Sequence, residues 1–276
     1  MVKTSIIMTV FDREPAVILN TLRWLAMSDL SETEVVVVDD NSTIPTSYLE
    51  PLLPDINGRL IRLEPYACYE IRGFNNPARA FNVGLEAAQG ERLVILSSDV
   101  LVPPRVLAKA AKFSSEETVF CPMVIDLSTG HEYCGPNRVF PMPWFLSTST
   151  KQARDCGGWD ENYLLGMCYE DNDFVGRLAL QVGSITFDWN QIVWHQSHYQ
   201  PAYSNEPWIQ VANQRNKMYT ADKWHGIPFD DALGQVWDIA RGRHENGDLQ
   251  LRFTDSKNLM QWFRSVKDAV ATSCDK

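Results

Sequence analysis

Three things are scarce in this sequence: paired cysteines, long apolar runs and positive charge. The six cysteines stand at positions 68, 121, 134, 156, 168 and 274, with no CxxC pair among them. That spacing argues against a cysteine-held metal and against a disulfide framework, and a chain of 276 residues buries enough surface to fold without either. No stretch approaches the ~18 uninterrupted apolar residues of a membrane helix. Met1–Phe11 is apolar, but Asp12, Arg13 and Glu14 stop it early, and no small-residue cleavage site follows. These absences predict a soluble, cytoplasmic protein with no transmembrane segment, peripheral membrane contact being the alternative. Twenty-five Lys and Arg against 35 Asp and Glu leave a net charge of −10. A chain so poor in cations is a poor partner for duplex nucleic acid or anionic lipid, so no nucleic-acid partner is expected. Two glycine motifs are missing as well. There is no GxGxxG after the first apolar run and no GxxxxGK[ST], which disfavours a dinucleotide dehydrogenase and a P-loop NTPase.

What is present is the pattern of an α/β protein. Thr4–Val10 and Val35–Val38 are apolar, β-rich runs, and between them Pro15–Met27 carries Val17, Ile18, Leu22, Trp24 and Leu25 at broadly helical spacing. Strand, helix and strand with continuous apolar strands is the signature of a parallel sheet covered on both faces. Arg59–Leu63 reads as a third strand, Asn76–Gln89 as a helix ended by Gly90, and Arg92–Leu96 as the next strand. Val106–Phe113 follows as a helix. Beyond it, Val119–Ile125 reads as a strand, Cys134–Phe145 as loop or irregular strand, and Tyr169–Val182 as a helix. Two short strands are expected at Ser184–Asp188 and Gln191–Trp194, and a long helix over Asn205–Trp224. Helical stretches around Ala232–Arg241 and Asn258–Ala271 flank a polar break, RGRHENGD.

In open α/β sheets, ligands sit outside the carboxyl ends of the strands. Here the first strand runs into Thr9, Phe11, Asp12 and Arg13, the second into Asp39, Asp40, Asn41 and Ser42, and the strand at 92–96 into Ser97, Ser98 and Asp99. Such ends suit a ligand with hydroxyls and phosphates. Without a glycine loop, and with acids on the site, a phosphate calls for a divalent cation, and Asp99 is the obvious first carboxylate for it. Asp12, Asn41 and Ser42 read as turn formers. Taken alone, Glu170, Asp171 and Asp173 read also as helix-start acids, and His195 and His198 as surface histidines satisfied by carbonyls.

The segments SIIMTVFDR, VVVVDDNST and NPARAFNVGLEAAQGERLVILSSDVLVPP together resemble the family 2 glycosyltransferases of the GT-A fold. The run GGWDENYLLGMCYEDNDFVGRL is similar to the acceptor-side segment that these enzymes share with galactosyltransferases. The resemblance covers roughly residues 4 to 200. It implies a Rossmann-like, mainly parallel mixed sheet flanked by helices over residues 1–225. Residues 1–115 would form the nucleotide-sugar half, 116–225 the acceptor half, and 226–276 a helical extension.

The same resemblance implies an enzyme moving sugar from a nucleotide diphosphate sugar, with UDP favoured, to a hydroxyl of a glycan or other acceptor. Thr9, Phe11, Arg13, Asp39, Asp40, Arg79, Ser98 and Asp99 would bind the donor. Ser97 stands where the first acid of the family's DxD motif is expected, so Asp99 alone remains as its metal carboxylate. His195 would complete the metal shell, and a mixed nitrogen and oxygen set favours manganese over magnesium. Asp171 would be the base of an inverting transfer, with Glu170 as the alternative. Gly158, Trp159, Asp160 and Asp173 would contact the acceptor or its sugar. Two other readings stay open: a non-catalytic sugar-nucleotide or glycan binder of the same fold, and a nucleotidyltransferase.

Overall fold

The computed structural model describes residues 2–65, 76–113, 119–137, 143–198, 207–223 and 248–252. Strand β1 (Thr4–Val10) and strand β2 (Thr33–Asp39) pair in parallel, with Ile6 opposite Val35 and Met8 opposite Val37. Ile6, Ile7, Met8 and Val35 to Val38 are fully buried. Their uninterrupted apolar character follows from a sheet covered on both faces. Helix α1 (Pro15–Ala26) links them, with Pro15 in its first turn and Ile18, Leu22 and Leu25 facing the core. Strand β3 (Gly58–Arg62) adds in parallel to β2. Helix α2 (Ala78–Ala87) covers β1 and β2, and Gly84 permits the approach: a Cβ there would lie 3.1 Å from Ile7 Cγ2. Strand β4 (Arg92–Ser97) then pairs in parallel with the other side of β1.

The order β3-β2-β1-β4 reverses direction at β1, so the crevice beyond the carboxyl ends of β1 and β4 is the switch point where such sheets bind ligands. The second half continues the sheet. Strand β5 (Val100–Leu101), helix α3 (Pro104–Lys112), strand β6 (Val119–Asp126), strand β7 (Glu132–Cys134), strand β8 (Phe145–Ser149) and helix α4 (Thr150–Asp155) follow in order. Then come helix α5 (Glu170–Val182), strand β9 (Ser184–His195), helix α6 (Pro207–Lys223) and strand β10 (Asp248–Arg252). Among the described residues the ten strands form one sheet along the path β10-β9-β6-β8-β4-β1-β2-β3, with β5 on β9 and β7 on β6. It is the mixed, mainly parallel, helix-flanked sheet expected from the sequence.

Four elements differ from expectation. The two short strands expected at 184–194 are one strand, β9. Its register on β6 jumps from Pro122 opposite Asp188 to Met123 opposite Ile192, so a bulge absorbs Trp189, Asn190 and Gln191 where a break is expected. Strand β8 and helix α4 arise from FLSTS and TKQARD, where no periodic apolar pattern marks them. In the tail expected as helical, the described residues Asp248–Arg252 form a strand antiparallel to β9. The helices expected around 232–241 and 258–271 lie outside the described residues. No helix among the described residues is long and apolar enough to cross a membrane.

Candidate active site

At the switch point the loops after β1 and β2 are laced together. Asp12 and Asn41 adopt left-handed backbone, with φ 41° and 62°. Asp12 Oδ1 accepts from Thr43 N at 2.6 Å and Thr43 Oγ1 at 2.8 Å, while Ser42 Oγ accepts from Asp12 N at 3.1 Å. These residues form the turn, as the sequence indicates. Asp39 also serves it: its Oδ1 accepts from Ser42 N at 2.9 Å and its Oδ2 from the Thr46 hydroxyl. Asp40 is buried beside it, its N–H donating to Val10 O. Thr9 is the penultimate residue of β1, registered between Val38 and Ser97. Phe11 follows, partly buried. Arg79 donates to Glu64 O, just past β3, and so stands two strands from β1. The buried Ser98 accepts the Thr21 hydroxyl through its carbonyl, which fixes the β4 end against α1.

Asp99 gathers the densest set of partners. Val100 pairs with His195 between β5 and β9, and Gln196 N donates to Asp99 O at 2.8 Å. This short antiparallel ladder brings Asp99 and the end of β9 together although 96 positions separate them in sequence order, about the span of a small domain. Asp99 Oδ1 lies 3.9 Å from His195 Nε2, and Asp99 Oδ2 lies 2.9 Å from His198 Nε2 and 3.0 Å from Arg13 Nη2. Asp99, His195 and His198 each place a possible ligand atom within 4.8 Å of the others. Asp99 Oδ1 is buried with no hydrogen bond among the described residues, as a carboxylate oxygen kept for a cation would be. The donor set, one carboxylate and two imidazoles, therefore fits a divalent metal.

The electrostatics agree with that fit. Burial opposes the Asp99 charge, but the His198 hydrogen bond and the Arg13 charge outweigh it and hold the carboxyl well below the usual range. Burial depresses the His195 pKa despite Asp99 nearby, which favours the neutral imidazole that a metal requires. Asp126, opposite His195 in the β6–β9 register, puts Oδ2 3.6 Å from His195 Nδ1. Its other oxygen is held by Ser128 and Thr129. Trp144 stacks on the His195 ring at 4.6 Å. Ring stacking behind and a carboxylate at Nδ1 aim Nε2 at Asp99. Sequence reading missed His198 and Asp126; the His-x-x-His spacing was the visible signal for the first.

The residues expected on the acceptor side form a second group. Cys168 and Tyr169 adopt left-handed backbone, φ 62° and 74°, directly before Glu170 and Asp171 at the start of α5. Two non-glycine residues in that region store strain of the order of 1–3 kcal/mol each, and such outliers gather at functional sites. Helix α6 holds them: the buried Asn216 donates to Tyr163 O at 3.0 Å and Cys168 O at 2.9 Å. The buried Glu170 accepts from Asn76 Nδ2 at 2.7 Å, tying α5 to the start of α2. Burial raises both carboxyls. The Asp171 charge lifts Glu170 further, while the Trp159 indole pulls Asp171 the other way. Asp171 Oδ1 and Trp159 Nε1 are both buried without a closed hydrogen bond among the described residues.

Several expected acceptor contacts have other duties. Trp159 is only 2% exposed and stacks between Phe174 at 3.7 Å and Phe81 at 4.5 Å, so it is a core residue and not a sugar platform. Asp173 is fully buried and bound by Arg177 Nε at 2.8 Å and Lys223 Nζ at 2.9 Å. Asp160 accepts from Lys223 Nζ at 2.6 Å and Tyr219 Oη at 2.7 Å, which hold its carboxyl well below the usual range against partial burial. Both acids are committed to pinning α6 on this loop. Gly158, at φ 62°, is required by the packing: a Cβ would lie 2.6 Å from Asn82 Oδ1. The structure thus brings Arg13, Asp99 and His195 together, and gathers Glu170, Asp171, Trp159, Asp160 and Asp173 around the start of α5.

The sheet order, the polar switch point and a carboxylate pair opening a helix of the second half place the chain among proteins of the GT-A glycosyltransferase fold. Residues 5–161 match the model of the Glycosyl transferase family 2, and the chain belongs to that family. The Glu170–Asp171 pair and His195 lie beyond the matched segment. No curated protein matches the chain by sequence. Among solved structures, the fold is similar to TarS 1–349 of S. aureus in complex with UDP-GlcNAc, with TM-score 0.60 and 16% identity over 98% of this chain and 92% of that one. It is also similar to GalNAc-T7 with UDP, GalNAc and Mn2+, with TM-score 0.61 and 12% identity over 97% of this chain and 55% of that one. A third is the mannosyltransferase PcManGT from Pyrobaculum calidifontis with GDP-Man and Mn2+, at 0.55 and 14% over 98% and 75%. Against a longer S. aureus TarS structure, the chain spans 47% of that protein's length.

Proposed function

We propose that this chain transfers a sugar from a nucleotide diphosphate sugar, preferably a UDP-sugar, to a hydroxyl of a glycan or other acceptor in the cytoplasm. The observation that carries the reading is the convergence of Asp99, His195 and His198 beyond β4, at the switch point between β1 and β4. Complexes of similar folds with UDP-GlcNAc, and with nucleotide and Mn2+, support the donor class and the choice of manganese over magnesium. Asp99, His195 and His198 would hold the cation, which when bound supplies positive charge to the departing diphosphate.

The chain's own residues do the rest. Thr9, Phe11, Arg13, Asp39, Asp40 and Ser98 line the donor crevice, with Arg79 further along the same sheet edge. Asp171 takes the proton from the acceptor hydroxyl as its oxygen bonds to the anomeric carbon. The bond from that carbon to the diphosphate breaks on the opposite face, and the nucleotide diphosphate leaves with the electron pair, so configuration inverts. Burial of Asp171 raises its proton affinity into a range useful to a base near neutral pH. Glu170 sits deeper, held by Asn76, and burial and the Asp171 charge raise its carboxyl, which leaves Asp171 as the base of the pair.

Calorimetry with UDP and MnCl2 tests the metal assignment. Asp99→Ala should lose the manganese-dependent part of UDP binding; unchanged binding would refute it.

A further inference from the structure

Arg13 stands inside the Asp99–His195–His198 cluster. Its Nη2 lies 3.0 Å from Asp99 Oδ2, and its Nη1 meets His198 Nδ1. His198 Nε2 reaches the same Asp99 oxygen at 2.9 Å. A guanidinium only donates, so His198 Nδ1 is the acceptor and the ring proton sits on Nε2, donated to Asp99. A ring nitrogen that binds a cation carries no proton. Ligation through Nε2 therefore moves the proton to Nδ1, where it opposes the Arg13 N–H. Ligation through Nδ1 removes the acceptor of Arg13 directly. By either route Arg13 has to leave when a cation enters.

From this we propose that Arg13 is a resident counterion which the divalent metal displaces, and that its displacement couples metal entry to diphosphate entry. The proposal rests on the metal reading given above. A guanidinium released beside a divalent cation is repelled by it, and its planar fork matches phosphate oxygens. With no diphosphate present, the metal must expel Arg13 from Asp99 and His198 without the gain of a phosphate ion pair. With a diphosphate in the crevice, the same displacement creates a new ion pair. The Arg13 side chain is 22% exposed, so it has room to swing toward the crevice. Such coupling is reciprocal: each ligand raises the affinity of the other by the same factor.

The test is to titrate metal-free protein with MnCl2, reading free Mn2+ by electron paramagnetic resonance, with and without saturating UDP. Arg13→Gln should bind Mn2+ alone on the order of tenfold more tightly than the unaltered protein, and the gain in Mn2+ affinity on adding UDP should shrink by on the order of tenfold. Arg13→Lys, which keeps the charge but not the fork, should fall between. A second measurement needs no substitution: long-range 1H–15N spectra of the metal-free protein should show His198 protonated on Nε2. Unchanged Mn2+ affinity in Arg13→Gln, or an Nδ1-protonated His198, overturns the proposal while leaving the metal reading intact. If neither protein binds Mn2+ with or without UDP, the metal reading falls and this proposal with it. Should circular dichroism show Arg13→Gln misfolded, Arg13→Lys and the tautomer decide.

Discussion

The Asn82 side chain clamps the Trp159 backbone from both sides: Trp159 N donates to Asn82 Oδ1 at 2.8 Å, and Asn82 Nδ2 donates to Trp159 O at 2.9 Å. A side-chain amide here completes what a neighbouring strand would otherwise supply, and it couples α2 of the first half to the loop that leads to Asp171. Asn82→Ala should leave two backbone groups without their partner and destabilise the fold by about 1–3 kcal/mol, read by urea unfolding. Gly158→Ala, forced into left-handed backbone against the same amide, should be at least as damaging. Wild-type stability in both would contradict the clamp.

Trp159 packs as core, so its replacement should act through stability. Trp159→Ala should cost about 3–5 kcal/mol, and acceptor KM in the surviving folded fraction should change little. A stable variant with a sharply raised acceptor KM would restore a direct sugar contact.

Lys223 joins two acids from different elements, Asp160 and the fully buried Asp173. Lys223→Met should destabilise by about 3 kcal/mol. That is the lower end of the range for breaking a buried pair, since the lysine is a quarter exposed and Arg177 still pairs with Asp173. Equal stability at pH 7 would show that α6 is held by other contacts.

Burial raises the Glu170 carboxyl, and the sign of its pH dependence follows. A group whose folded pKa lies above its unfolded one keeps its proton better in the native state. Its penalty on stability is absent below ~4, the ordinary carboxylate value, and grows as pH rises toward the raised folded value. Glu170→Gln should therefore match the unaltered protein in urea at pH 4 and exceed it at pH 8.5. Asp171 is raised in the same way, so kcat should fall on acidification at a pH above that of an ordinary carboxylate. A variant less stable at pH 8.5 than at pH 4, relative to the unaltered protein, would reverse the argument.

The first half of the fold is legible in the sequence because β1, β2 and β4 are buried on both faces and read as unbroken apolar runs. The second half resists such reading. In β8, the completely buried Ser147 donates its hydroxyl to Ala110 O, and nearby Thr150 bonds Gly90 O, so tertiary partners satisfy polar groups that local pattern assigns to loop. Asp99 and the 170–171 pair stand out because acids at strand ends and helix starts mark sites in α/β folds. His198 carries a signal only in its spacing to His195. Lys223, Asn82 and Asn76 carry none, because their partners lie 50 or more positions away and only packing brings them together. For the same reason Asp160 and Asp173 look available in sequence and are spoken for in the fold.

The most direct test of the account is nucleotide release from a panel of UDP- and GDP-sugars with MnCl2, comparing the unaltered protein with Asp171→Asn. The unaltered protein should release UDP from at least one UDP-sugar, faster when acceptor hydroxyls are supplied. Asp171→Asn should lose on the order of 10²–10⁴ of that rate while binding UDP nearly as well. A full rate in Asp171→Asn, or no release from any donor by the unaltered protein, would contradict it.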